Sequence, residues 1–228
     1  FYFIALFSMA YMLSANGADN SIYITQSGGS SALTMNIDQI GSSNVVGTTS
    51  SRVSLTGTTM TVDIDQIGDS NVIAATIAQG NTTSFTLTNT GDSNTQTLAA
   101  GATGDVAGSD FDFAATGDSN ALTFTQGAAA TATSGNTDIV IAGTSNDLNI
   151  VSEVVGATNN WDVDGDSNDI DTTQTGNANS SIIADITGNT NNIDIDQTSS
   201  TGSTSGIVNI IGITTGGTID IDQCSSGC

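Results

Sequence analysis

Residues 62–77 read VDIDQIGDSNVIAATI, and this run decides the fold. Val62, Ile64 and Gln66 step by two up to Gly68, while Asn71, Ile73, Ala75 and Ile77 step by two away from it. Side chains two apart share one face of a strand. Only Asp69 and Ser70 separate the glycine from the asparagine, a pair that suits a turn centre, and glycine tolerates positive φ. The run therefore predicts strand, tight turn, strand: a flat β-arch with an apolar inner face.

The turn word G-x-[ST]-N recurs. It stands at Gly41 to Asn44, Gly68 to Asn71, Gly91 to Asn94, Gly117 to Asn120, Gly143 to Asn146, Gly165 to Asn168 and Gly188 to Asn191. Successive glycines lie 27, 23, 26, 26, 22 and 23 residues apart. Looser copies begin at Gly156 and Gly176. The flanks keep parity throughout: Phe85, Leu87 and Asn89 precede Gly91; Phe111, Phe113 and Ala115 precede Gly117; Asn120, Leu122, Phe124 and Gln126 follow it.

A lone arch cannot hide its apolar face or pair its backbone edges, whereas copies stacked along an axis do both. The expected fold is all-β: a β-solenoid of stacked strand–turn–strand repeats with two facing, parallel, in-register sheets. At about 23 residues per coil and ~4.8 Å per layer, the chain has room for about 8–9 rungs, a rod of roughly 40 Å. Residues around Gly47–Gly57 and Ala99–Asp110 break the spacing and call for bulging loops.

Amides fall at inward parity: Gln39, Gln66, Gln126, Gln174 and Gln197, with Asn44, Asn71, Asn94, Asn120, Asn146, Asn168 and Asn191. An isolated buried amide is costly, but one stacked on its own copy gives and accepts a hydrogen bond per rung. Two readings stand for asparagine, a ladder or a left-handed turn ending. Glutamine has no such turn preference, so its recurrence favours ladders.

The motif Q-x-G-x-x-N occurs at Gln39 to Asn44, Gln66 to Asn71 and Gln174 to Asn179, and Gln26-Ser27-Gly28 opens a variant with Ser31 in the asparagine place. A second glutamine follows the asparagine by six residues at Gln126, Gln174 and Gln197. This pattern resembles the curlin repeat over nearly the whole chain, with Asn89, Ala115, Ile141 and Val163 replacing the first glutamine in four copies. The resemblance implies a bacterial subunit, secreted to the cell surface, that polymerises head to tail into a biofilm amyloid. The implied partners are further copies of itself, a nucleator subunit and outer-membrane secretion machinery.

Composition narrows the function. The chain has no histidine or proline and a single cation, Arg52, for a net charge of −22. General acid–base catalysis leans on His, Glu or Lys with tuned pKa values, and Glu153 is the only glutamate, so no enzyme is expected. Nucleic acid and anionic lipid would be repelled. Residues 1–18, FYFIALFSMAYMLSANGA, are apolar and then small and polar, as in the core and cleavage zone of a signal peptide. The run is too short for a ~20-residue membrane span. Residues 19–228 then form a single repeat domain. Cys224 and Cys228 are candidates for a terminal disulfide or a link between subunits.

Aspartates 38, 63, 65, 112, 162, 164, 169, 171, 194, 196, 220 and 222 alternate with core positions and should face solvent. Stacked at rung spacing, two carboxylates repel by ~1 kcal/mol in water, so cations or salt should favour assembly. Asp162-Val163-Asp164-Gly165-Asp166-Ser167-Asn168 resembles a calcium loop but lacks the glycine and glutamate positions of an EF-hand. Asp162, Asp164 and Asp166 remain candidates for an adventitious Ca²⁺ site, and no other cofactor is expected. An alternative function is a non-polymerising binding module, an ice-binding or adhesive solenoid, on the threonine pairs Thr86/Thr88 and Thr123/Thr125. A polysaccharide-cleaving β-helix would use paired carboxylates, but here the aspartates are spread along the whole rod.

Overall fold

A computed structural model of the chain describes residues 9–16, 19–25, 32–48, 50, 52–79, 81–101, 107–127, 132–133, 135–156, 158–176, 181–199, 208–211 and 216–225. Two sheets of parallel strands run its length. The first contains, in spatial order, β1 (Met9–Asn16), β3 (Leu33–Ile40), β6 (Met60–Ile67), β8 (Thr83–Thr90), β10 (Asp110–Thr116), β13 (Asn136–Ala142), β15 (Thr158–Asp164), β17 (Ser181–Thr187) and β19 (Val208–Ile211). The second contains β2 (Asp19–Ile22), β4 (Ser43–Val46), β7 (Ser70–Gln79), β9 (Ser93–Ala100) and β11 (Ser119–Gln126). It continues through β14 (Ser145–Val155), β16 (Ser167–Gly176), β18 (Thr190–Ser199) and β20 (Thr218–Ser225). Two short strands lie off this path: β5 (Val53–Thr56) pairs β7, and β12 (Ala132–Thr133) pairs β14.

The chain is thus an all-β parallel solenoid whose strands alternate between the two sheets. Parallel neighbours need a crossover, and here each crossover is the facing strand of the next coil. Register follows the repeat: Gln39 stands over Gln66, Phe85 over Phe111 and Asn120 over Asn146. A one-residue slip would turn every apolar side chain to water, and burial alternates without a slip along β3, β6, β8 and β10.

The solenoid has about seven turns, slightly fewer than the eight or nine expected. Seven arches carry the G-x-[ST]-N corner, from β3–β4 to β17–β18. An average coil of 23 residues understated the chain spent between arches. The 27-residue interval after Gly41, for instance, holds the extra strand β5. Layers with only a short second or first strand flank the arches: β2 and β19 have four residues each. Met9–Asn16, within the expected leader, pairs with Leu33–Ile40 in the first sheet.

The core is a thin slab of stacked columns. Phe85, Phe111, Phe113 and Phe124 form its aromatic centre, with ring centroids 6.5, 5.1 and 5.0 Å apart along the chain of contacts. Trp161, two rungs above Phe113, is fully buried. Columns of Ile, Leu and Val occupy most remaining inward positions. Burying each such side chain contributes about 1.5–3 kcal/mol.

Candidate functional site

Seven corners stack into one column, and two features of the repeat set its geometry. The first is glycine. A Cβ added at Gly68, Gly91, Gly117, Gly143, Gly165 or Gly188 would stand 2.0, 1.5, 1.6, 2.0, 2.3 or 1.8 Å from the carbonyl oxygen of the glycine one rung below. The sequence had suggested glycine for a positive φ; among the described corners, those from Gly41 to Gly165 are not in that region. Close backbone approach selects glycine here, and any side chain would push two rungs apart. Positive φ is used instead at the other end of the coil, at Gly47, Gly101 and Gly127, with φ of 71°, 78° and 86°.

The second feature is the asparagine. Nδ2 of Asn44 donates to Oδ1 of Asn71 at 3.1 Å, and the chain of bonds continues through Asn94, Asn120, Asn146, Asn168 and Asn191 at 2.9, 2.8, 2.9, 2.7 and 2.9 Å. All seven are buried. Each amide nitrogen from Asn71 to Asn168 also donates to the carbonyl of its own corner glycine and to the residue before the next corner. For Asn94 these acceptors are Gly91, at 3.0 Å, and Thr116, at 3.1 Å. Every donor points toward the C-terminal end, so the ladder has a direction. It stops at Asn191, whose Nδ2 finds no partner among the described residues. The next layer presents Gly217 there, so close that a Cβ would lie 1.8 Å from the Asn191 carbonyl oxygen.

The glutamines occupy two other columns. Gln66 donates to Gln39 at 2.6 Å in the first sheet, above which the position passes to Asn89, Ala115 and Ile141. In the second sheet Gln197 donates to Gln174 at 2.6 Å and Gln223 to Gln197 at 2.8 Å. These donors point toward the N-terminal end, opposite to the asparagines. Gln126 belongs to this column but not to its ladder: Ser152 separates it from Gln174, and both ends of its amide are buried without a partner among the described residues. A short hydroxyl cannot bridge two rungs. Gln26 lies outside the described residues.

Sequence reading missed Gln223, although Ile219-Asp220-Ile221-Asp222-Gln223 repeats Ile193-Asp194-Ile195-Asp196-Gln197 word for word. It also missed Asn20, at the start of the expected repeat domain, which aligns with Asn44. Asn89, placed on the inner face with Phe85 and Leu87, is buried, while buried Gln96 and Asn159 were missed. They sit at inward parity, and parity alone would have found them.

The outward aspartates stack in register, as Asp38 on Asp65, Asp112 on Asp138, Asp162 on Asp185, and Asp171 on Asp194 and Asp220. Partial desolvation, then like-charged neighbours, raises the pKa of four of them. The neighbours are Asp65 and Asp38 for Asp63, Asp138 and Asp110 for Asp112, and Asp164 and Asp185 for Asp162. Asp194 is held up by packing against the sheet and by Asp196, Asp171, Asp220 and Asp222. Asp162, Asp164 and Asp166 do not converge. Asp164 accepts from the Thr187 hydroxyl, and Asp166 accepts from Asn189 at 2.9 Å. Among the described residues no three His, Cys, Asp or Glu side chains are grouped to hold a metal ion. Cys224 is disulfide-bonded; Cys228 lies outside the described residues.

Residues 165–198 match the family model of the curlin associated repeat. That stretch is similar to a curlin repeat. The matched stretch contains the Gly165 and Gly188 corners, strands β16 to β18 and the Gln174–Gln197 bond, so the curlin repeat and the stacked corner coincide in the structure. No curated protein and no solved structure matches the chain.

Proposed function

We propose that the chain is a non-catalytic structural subunit that stacks end to end in a curli-like fibre outside the cell. The observation that carries this reading is the state of β20, the edge strand of the second sheet among the described residues. Ile219 and Ile221 on β20 continue the core columns of Ile193 and Ile195, yet they are 48% and 39% exposed. Their position in the register is that of core residues, and a further rung would bury them as Ile193 and Ile195 are buried. The parallel edge of β20 offers the matching backbone groups. The curlin repeat supports extracellular assembly, with secretion machinery and a nucleator subunit as partners.

Purified protein left to assemble should give unbranched filaments by electron microscopy, with a meridional reflection near the ~4.8 Å strand spacing. Protein that stays dispersed and monomeric would count against the reading. For the alternative of a threonine binding face, Thr86 and Thr88 on β8 and Thr123 and Thr125 on β11 lie in different sheets and do not form one array.

A further inference from the structure

The outer face of the second sheet is divided along the rod axis. On β7, β9 and β11 its strand positions are neutral and small: Val72, Thr95, Thr97, Ala121, Thr123 and Thr125, stacked rung on rung, with Ala74 of β7 beside Thr97 buried, so that β9 and β11 form the open part. Thr95 and Thr123 are exposed. Beyond β11 the same columns turn acidic. β14 begins the change with Asp147, and β16, β18 and β20 carry Asp169, Asp171, Asp194, Asp196, Asp220 and Asp222, all exposed. Asp69, Asp92 and Asp118 border the neutral half at the corners, off the strand face. A groove of about 680 Å³ runs along this face beside the corners, with Thr95 and Ala121 lining it at one end and Asp147 and Asp169 farther along.

From this division we infer that the neutral half of the second sheet is a lateral contact between filaments of this chain, and that the acidic half opposes it. The inference rests on the fibre reading above. The occupant is a second copy because only another rod of the same rung spacing matches the Thr and Ala columns layer for layer; two such faces interdigitate as packed sheets do. Three rungs of strand offer roughly 300 Å², well below the ~800 Å² per partner of a stable dimer, so two free subunits do not pair. In a filament the patch recurs once per subunit, and the contacts act together.

Equal subunit lengths then impose a constraint. When neutral halves of two filaments meet, their acidic halves also meet, and these repel until screened. Lateral pairing is therefore salt-gated: filaments run singly at about 10 mM salt, where the screening length is about 30 Å, and pair at about 1 M, where it is about 3 Å.

The test is filament width by electron microscopy, with pelleting at low speed, across that salt range. Wild-type filaments should double in width as salt rises. Thr97→Asp/Thr123→Asp should lose the doubling at every salt concentration while elongating at the wild-type rate. Thr97→Val/Thr123→Val, which keeps strand-forming shape without charge, should pair at least as readily as wild type. Asp194→Asn/Asp220→Asn should move pairing to lower salt. Charged Thr97/Thr123 filaments that pair like wild type overturn the inference and leave the fibre reading standing. A chain that forms no filaments at any salt overturns both.

Discussion

At the residue scale the corner works through one atom pair, Asn Nδ2 to Asn Oδ1, repeated six times along seven asparagines. Asn120 Nδ2 donates to Asn146 Oδ1, Gly117 O and Ala142 O, at 2.9, 3.1 and 3.2 Å, while its Oδ1 accepts from Asn94 at 2.8 Å. Truncation leaves buried groups of two neighbouring rungs unpaired, at about 1–3 kcal/mol each. Asn120→Ala should therefore destabilise the chain by ~3 kcal/mol in denaturant unfolding; a loss under about 1 kcal/mol would mean the ladder contributes little. Gly117→Ala should be at least as damaging, by ~3 kcal/mol or more, because its Cβ would meet backbone, the Gly91 oxygen at 1.6 Å, rather than a side chain able to move. An unchanged melting temperature for Gly117→Ala would show that rungs are not packed this closely.

At the scale of the strand and the coil, the rungs are not equally good. In the arch of β15 and β16, buried Asn159 and Thr172 leave Nδ2, Oδ1 and Oγ1 without partners among the described residues. One rung on, the same positions hold Ile182 and Ile195. Asn159→Ile with Thr172→Ile should copy the better rung and stabilise by ~2 kcal/mol, since uncompensated polar burial is removed. A fall in melting temperature would indicate that those polar atoms are satisfied. Much of this level was legible in advance. Alternation placed the strands and the inner face, because a half-buried strand has no other way to write itself. What was not legible were features that depend on the neighbouring rung. Residue spacing cannot reveal that a glycine is there for a carbonyl 23 or 26 residues away in sequence, or that Ser152 interrupts a glutamine column. Nor does the sequence alone mark β5 as an added strand beside β7, because Val53-Ser54-Leu55-Thr56 lacks the corner word.

At the scale of the whole rod, charge and end geometry govern behaviour. Asp63, Asp112, Asp162 and Asp194 all have raised pKa values in the folded chain. A raised value means the folded state binds protons more readily than the unfolded one. The resulting stabilisation is fully present below the ordinary aspartate value of about 3.9 and is lost as pH rises through the raised values. Melting temperature should therefore climb as pH falls from 7 toward 4, and a steady fall over that interval would contradict the stacked arrangement of carboxylates. The direction of the ladders bears on assembly too. Asparagine donors all point one way and glutamine donors the other, so a rod has two unlike ends, and in the proposed fibre head-to-tail addition would keep a single polarity.

The most direct test is a helical reconstruction of assembled filaments by electron cryomicroscopy at side-chain resolution. One column of glycine–asparagine corners should run along each filament at ~4.8 Å per layer, with β20 of one subunit seated against the first layer of the next. Filaments whose subunits touch side to side, with corners out of line from one rung to the next, would contradict it.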